Sequence, residues 1–454
     1  MRVLAALLAA CATLCGAEEA GFDVDRFRPV RTVAVANVRE FEAALARAEP
    51  GDLIDVAPGV YETTRAFSIA RGGSAERPVV IRSRQAGGAR IRGAGAFQAT
   101  GVSYVAIDGF DIAHQDGAVR DGRFFAAHAL IARGCRHLRF TRNLVHVSET
   151  REEKPQARRS HWIEITGEDS HHNRVDRNRV EEKRNGGVMV VLGGSGAATG
   201  YRMSRYDRVD HNHFRNFYRG SGNGFETIRV GSSPYSHTAG DTEIDDNLFE
   251  DCDGEAEIIS VKCHGVAVRR NTFLNSRGML TYRNGNSGVA EGNWFLNPSG
   301  KRGVEGIRFY GTGHRVVHNF FEGLTGAAIL IRTGDVEQRR GGWHDMTPKE
   351  YGNYLRPEKA LVAFNTMVRC AVGISIGDRR AEYSLPPRQI TIADNLLIAS
   401  PIEEQSKPLD FTWRNNTTRA GGDDRRAEDP VRRPPLTAAA VGPDAPRQDH
   451  PTAR

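Results

Sequence analysis

At 454 residues the chain is too long for a mini-protein and could hold one large core or, at about 150 residues per domain, about three domains. Its 39% hydrophobic and 26% charged residues exclude a membrane-embedded chain and a wholly disordered one. Sixty-two Lys and Arg against 56 Asp and Glu leave a net +6 with interspersed signs, which excludes a dedicated nucleic-acid binder and tolerates a polyanion such as an acidic polysaccharide.

The first element is Met1-Arg2 followed by the apolar run Val3 to Ala10, with small residues at Cys15-Gly16-Ala17. It reads as a signal peptide over residues 1–17, so the mature protein is expected to be periplasmic or secreted. Leu8-Ala9-Ala10-Cys11 also has the form of a lipoprotein box, which keeps an outer-membrane lipoprotein as the lesser alternative. No later apolar run is long enough for a transmembrane segment. Cys135, Cys252, Cys263 and Cys370 are scattered and read as buried free thiols rather than disulfides.

Asn37 to Ala48 has helical periodicity and is expected to cap a solenoid that begins near residue 31. Pro50-Gly51-Asp52 turns into a strand at Leu53 to Val56. From there asparagines recur in an apolar-x-x-Asn-x-apolar pattern: Asn143, Asn178, Asn212, Asn247, Asn271, Asn293, Asn319, Asn365 and Asn395, with Asp108-Gly109-Phe110 in an earlier, comparable place. Their spacings are 35, 34, 35, 24, 22, 26, 46 and 30, the shortest being the length of one β-helix coil and the others a coil plus an insertion. Each repeat alternates apolar and polar residues, the period of a strand with one buried face. Asn tolerates left-handed backbone at a bend and, stacked from coil to coil, can bond to its own kind. Glycine, at 49 residues, supplies many further bends. The fold class expected is all-β, a right-handed single-stranded parallel β-helix over residues 18–420 with an N-terminal capping helix. A propeller would need more even spacing and antiparallel hairpins. Residues 334–359 interrupt a coil and read as a lateral loop that either walls a cleft or merely decorates the solenoid. Residues 421–454, rich in Pro, Arg, Asp and Ala, read as a disordered tail.

Polar residues are densest between 220 and 310. Glu255 and Glu257 are two apart and would share a strand face, and Asn223 lies one coil earlier. Two carboxylates and an amide oxygen form a hard ligand set suited to Ca2+. The plainer alternative is a Glu pair neutralised by Arg229 or Arg308. Lys262 follows the pair and Arg283 is one coil further on, so the arginine would lower the lysine's proton affinity and suit it as a general base. The plainer alternative is two solvated charges. Metal, base and cation together suit β-elimination next to a uronate carboxylate.

The motifs GDLIDVAPGVYE (51–62), SHWIEITG (160–167), GNGFETIRVG (222–231), FEDCDGEAEIISVK (249–262), RGMLTYRNGN (277–286) and GIRFYG with HRVVHNFFEGLTG (306–326) resemble, in this order, polysaccharide lyase family 6, the alginate lyase and chondroitinase B family. The resemblance implies Ca2+-assisted β-elimination of an anionic, uronate-containing polysaccharide to 4,5-unsaturated ends. Alginate is the leading substrate; dermatan or chondroitin sulfate, or a catalytically impaired polysaccharide-binding β-helix, are the alternatives. It implies Asn223, Glu255 and Glu257 as calcium ligands, Lys262 as the base that takes the C5 proton, and Arg283 as the catalytic arginine near the leaving oxygen. Arg308 is a candidate contact to a substrate carboxylate, with Asn284, Tyr310, His211 and Arg215 as further substrate contacts. Asn284 stands where the family usually has histidine, and Ser-Val-Lys-Cys at 260–263 where it usually reads Ser-Asn-Lys-Ser.

Overall fold

The computed structural model describes residues 22–445 except 94, 114–118, 121–122, 125–127, 147–159, 221, 338–349, 379–383 and 422–432. The leader read at 1–17 lies outside the described residues. Among them, no helix is long and apolar enough to cross a membrane.

Short strands of alternating apolar residues wind into three long sheets of 14, 12 and 13 strands. Neighbours within a sheet are one coil apart: Arg208–Asp210 pairs in parallel with Glu243–Asp245, and that strand with Ala267–Arg269. This is the parallel β-helix; a propeller's antiparallel blades are not what these sheets contain. A coil has no inside of its own, and stacking turns the inward rows into one continuous apolar core.

The capping helix spans Val38–Ala46. The Asn37 side chain accepts from the Glu40 amide at 3.0 Å, and the Glu40 carboxylate accepts from the Ala36 amide, a reciprocal N-terminal cap. Phe41, fully buried, packs among Tyr61, Phe67, Phe97 and Phe110, which keeps the end of the core out of water.

All nine repeated asparagines form a single buried ladder between the 14-stranded and 13-stranded sheets, and Asn416 extends it. Each side-chain oxygen accepts from both the backbone and the side-chain amide of the preceding rung, as Asn247 does from Asn212 at 2.9 and 3.0 Å. The left-handed residue is not the asparagine but the one before it: Arg142, Arg177, His211, Asp246, Arg270, His318, Phe364, Asp394 and Asn415 all have φ between 50° and 58°. The bend therefore costs strain at an outward side chain, and the ladder's hydrogen bonds hold it. Gly109, at φ 79°, makes the same bend before Phe110.

The four cysteines among the described residues, Cys135, Cys252, Cys263 and Cys370, are buried thiols lining the core rather than bridging coils. Of the segment expected to form a disordered tail, residues 433–445 instead lie along the solenoid. The Arg433 carbonyl accepts from the Trp294 indole at 3.1 Å, the Leu436 amide donates to Thr272 Oγ1, and the Gly442 amide donates to the His211 carbonyl. The apolar signal was slight: the partly buried Leu436 and Val441, the latter 3% exposed.

Candidate active site

The 12-stranded sheet carries the polar cluster. Its adjacent strands Ile228–Val230, Glu257–Lys262, Gly278–Asn284 and Val304–Phe309 align Ile228, Ile259, Leu280 and Ile307 as one inward row. The next row, Arg229, Ser260, Thr281 and Arg308, therefore points outward.

Two irregularities between the strands Glu257–Lys262 and Gly278–Asn284 build the site. Glu257 has the parity of the inward Ile259 and Val261, and in a regular strand it would point into the core. The extra residue Ile258 shifts the register. Glu257 thereby joins the outward face, where its carboxylate accepts from Ser260 Oγ at 2.5 Å and pairs with Arg308. A second shift pairs Lys262 with Asn284 and leaves Arg283 as the extra residue between Tyr282 and Asn284. Bulges of this kind re-aim side chains at the cost of local pairing.

Glu226, Glu255 and Glu257 meet with one oxygen of each within 4.8 Å of the others. Glu255 lies in the bend before its strand rather than on it. Gly254 lets this bend approach: a Cβ there would sit 2.1 Å from the Phe225 carbonyl. Burial, reinforced by Glu226 and Glu257, pushes the Glu255 carboxyl up to about 8. A cation bound among the three would favour the charged form of Glu255. Glu226 Oε2 is buried with no hydrogen-bond partner, and the hard oxygens suit Ca2+ in the way the donor set requires. Asn223 is exposed in the bend three residues before Glu226. Gly254→Ala is expected to destabilise the fold by about 1–3 kcal/mol and to separate Glu255 from Glu226. Thermal unfolding with and without added calcium reads both effects.

Lys262 Nζ stands 3.7 Å from Glu226 Oε1, and its side chain is 10% exposed. Burial lowers its affinity for a proton; Glu226 and Glu257 oppose this, while Arg283 and Arg229 add to it. The repulsion between Lys262 and Arg283 expected from spacing is present, but desolvation is the larger cause. Arg283 stays firmly charged, because Glu257 and Tyr354 outweigh its burial.

The lateral loop forms a wall, which decides between the two readings of 334–359 for its described part. Asn284 Nδ2 donates to the Asn353 carbonyl at 2.9 Å, and Tyr354 stacks on Tyr310 with centroids 4.4 Å apart. On this one face Glu226 Oε2, Arg229 Nε, Thr281 Oγ1, Arg283 Nε, Asn284 Oδ1 and Arg308 Nε are buried and lack protein partners. Native folds rarely leave so many polar atoms unsatisfied in one place unless a ligand completes them.

The family model described as chondroitinase B matches residues 35–418. The chain belongs to this family, polysaccharide lyase family 6. A mannuronic acid specific family 6 lyase from human gut microbiota is 24% identical, with a TM-score of 0.69 over 87% of this chain and 88% of that one. The family 6 lyase Pedsa3628 from Pseudopedobacter saltans is 21% identical, with a TM-score of 0.68 over 91% and 100%. A family 6 alginate lyase in complex with a trisaccharide is 18% identical, with a TM-score of 0.73 over 92% and 96%. At these identities the likeness establishes the fold. No curated protein matches the chain significantly.

In this lyase Glu255, Glu257, Lys262, Arg283, Asn284, Arg308 and Tyr310 gather on the 12-stranded face or its rim. His211 and Arg215 do not. His211 is buried at the ladder bend beside the 14-stranded sheet, with Nδ1 2.7 Å from Asp210 Oδ2. Arg215 is on the 13-stranded sheet, near Glu181 and Glu250. The structure does not bring these two expected contacts to the cluster, because positions close in one coil belong to different faces of the solenoid. Glu226 and Tyr354 are the site residues that sequence reasoning passed over. Glu226 had a signal, a carboxylate in GFETI one coil before Glu257; Tyr354 sits in a loop with no periodicity. Elsewhere His137, His171 and His172 bring ring nitrogens within 4.8 Å. There His137 and His172 stack face to face between Tyr104 and Tyr206.

Proposed function

We propose that this chain cleaves a uronate polysaccharide, foremost alginate, by Ca2+-assisted β-elimination. The observation that carries the proposal is the convergence of the Glu226, Glu255 and Glu257 carboxylates, the buried Lys262 and the charged Arg283 on one face with unsatisfied polar atoms. Glu226, Glu255 and Glu257, with Asn223 at the rim, would hold the calcium. Its chemistry when bound is to neutralise the substrate carboxylate and so acidify the adjacent C5 proton. Lys262, depressed by burial, removes that proton in its neutral form. Arg283 donates N–H hydrogen bonds toward the leaving oxygen and the charge developing there. Arg229 and Arg308 supply positive charge for further carboxylates along the polymer. The relatives described as alginate lyases favour alginate, and the family's chondroitinase B description keeps dermatan and chondroitin sulfates as the second reading. Export through the 1–17 leader, to the periplasm or beyond, belongs to the same proposal, since such polymers lie outside the cytoplasm.

The test is incubation with alginate, polymannuronate, polyguluronate and dermatan and chondroitin sulfates, following the ultraviolet absorbance of the unsaturated uronate. Growth on alginate is expected, with loss on chelation and recovery with calcium alone. Absorbance growth only on sulfated polymers would move the substrate to the second reading. No growth on any polymer with calcium present leaves a binding protein. Full turnover in excess chelator would remove calcium from the mechanism.

A further inference from the structure

Resting on the elimination reading, we infer that Arg308 is a built-in competitor of calcium: it pairs with Glu257 when the metal is away, and calcium binding turns it out toward a uronate carboxylate. Arg308 is then a positioning residue that couples the metal to the polymer.

Two expectations raised by the sequence, a calcium ligand at Glu257 and a glutamate neutralised by Arg308, meet in one carboxylate. Arg308 Nη2 donates to Glu257 Oε1, and the Ser260 hydroxyl donates to Oε2 at 2.5 Å, so both oxygens are engaged. The arginine comes from two strands away. It lies in the outward row of Ser260 and Thr281, and its guanidinium crosses the strand Gly278–Asn284 to reach Glu257. The two side chains are 18% and 11% exposed, so solvent and salt screen the pair little.

Calcium cannot simply be added to this arrangement. Glu226, Glu255 and Glu257 bring one oxygen each within 4.8 Å of the others, and an ion held among them rests on the carboxylate that holds the guanidinium. A neutral donor such as Ser260 keeps its bond to a metal-bound carboxylate, whereas a second cation there is repelled. Arg308 is therefore the partner that gives way.

The pair is also made for release. Arginine holds a carboxylate best through two parallel N–H bonds. Here Nη2 makes the bond, while Nε is buried without a partner. Its row neighbours Thr281 and Leu330 carry no charge, and Glu305 and Tyr310 are the other groups that feel its field. Once off Glu257, the guanidinium can offer its full fork to a substrate carboxylate. By linkage, whatever draws Arg308 away from Glu257 tightens calcium by the same factor that calcium tightens the polymer through it.

The experiment strips full-length protein with chelator and titrates it calorimetrically with calcium alone, no polymer being present. Wild type is compared with Arg308→Gln and with Arg229→Gln. Arg229 lies in the same outward row and forms no ion pair with the three carboxylates among the described residues, so it reports the general effect of losing one positive charge. Arg308→Gln is expected to bind calcium about tenfold more tightly. Arg229→Gln is expected to change the affinity by about twofold or less. Unchanged or weaker binding by Arg308→Gln overturns the inference, because an arginine that merely orders Glu257 would be missed by the metal. An equal gain in both variants also overturns it, since a general field and not displacement would then be at work. Should Arg308→Gln fail to fold, Arg308→Lys carries the test: it keeps the charge without the fork, a smaller gain is expected, and no gain overturns the inference. At saturating calcium, Arg308→Gln is expected to raise KM for the polymer severalfold, and an unchanged KM overturns the turn toward substrate. A wild type that binds no calcium overturns the underlying reading, and the first titration shows it before any variant is made.

Discussion

Replacing Lys262 by methionine is expected to abolish turnover while leaving the fold intact. The aliphatic stem lies in a pocket that leaves the side chain 10% exposed, and methionine fills similar volume without a basic nitrogen. Loss of a positioned general base lowers kcat by about 10²–10⁴-fold. Lys262→Arg keeps the positive charge beside Glu226 but cannot be neutral at working pH, so it should be as inactive as the methionine variant. If the arginine variant retained wild-type kcat, Lys262 would act through its charge and the base would lie elsewhere. Steady-state kinetics of the two variants, with circular dichroism as the folding control, separate these outcomes.

Asn247→Leu is expected to have the largest effect on stability. Asn247 is fully buried; its oxygen accepts from the Asn212 amide and side chain, and its nitrogen donates to the Val209 and Asp245 carbonyls and to Asn271. Leucine has comparable bulk but leaves at least the Asn212 amide and the Val209 carbonyl buried without partners. At about 1–3 kcal/mol for each unsatisfied group, the loss is about 2–6 kcal/mol. That is a large part of the usual 5–15 kcal/mol of net stability, so the thermal midpoint should fall steeply or the chain should not fold. An effect below about 1 kcal/mol would mean that the coils are held by apolar stacking alone and that the ladder is incidental.

Much of the architecture was legible in the residues because the fold repeats. Period-two strands and an asparagine every coil are one-dimensional signals, and all nine asparagines fell into the ladder. Asn416 in TWRNNTT has threonines where the pattern has its following apolar residue, and the strands around it are exposed. The placement of the left-handed residue was less legible: asparagine has the reputation for that conformation, yet here it supplies the side-chain bonds while its predecessor bends. His211 and Arg215 were misplaced for a related reason. His211 directly precedes the ladder asparagine Asn212 and Arg215 follows it by three residues, so both flank the corner between the 14-stranded and 13-stranded sheets, away from the cleft.

The sequence by itself determined that this is a parallel β-helix and that Glu255, Glu257, Lys262 and Arg283 lie on the same or adjacent coils, because coil-length spacing converts directly into adjacency. Only the tertiary structure decided which face each side chain takes at the two bulges. One extra residue reverses strand parity, and whether a strand absorbs it depends on the neighbouring strand's hydrogen bonds. It also decided that Glu226 completes the acidic cluster and that a loop from residue 350 onward brings Tyr354 to Arg283. These contacts join segments whose separation follows no repeat, and their geometry comes from packing rather than from spacing.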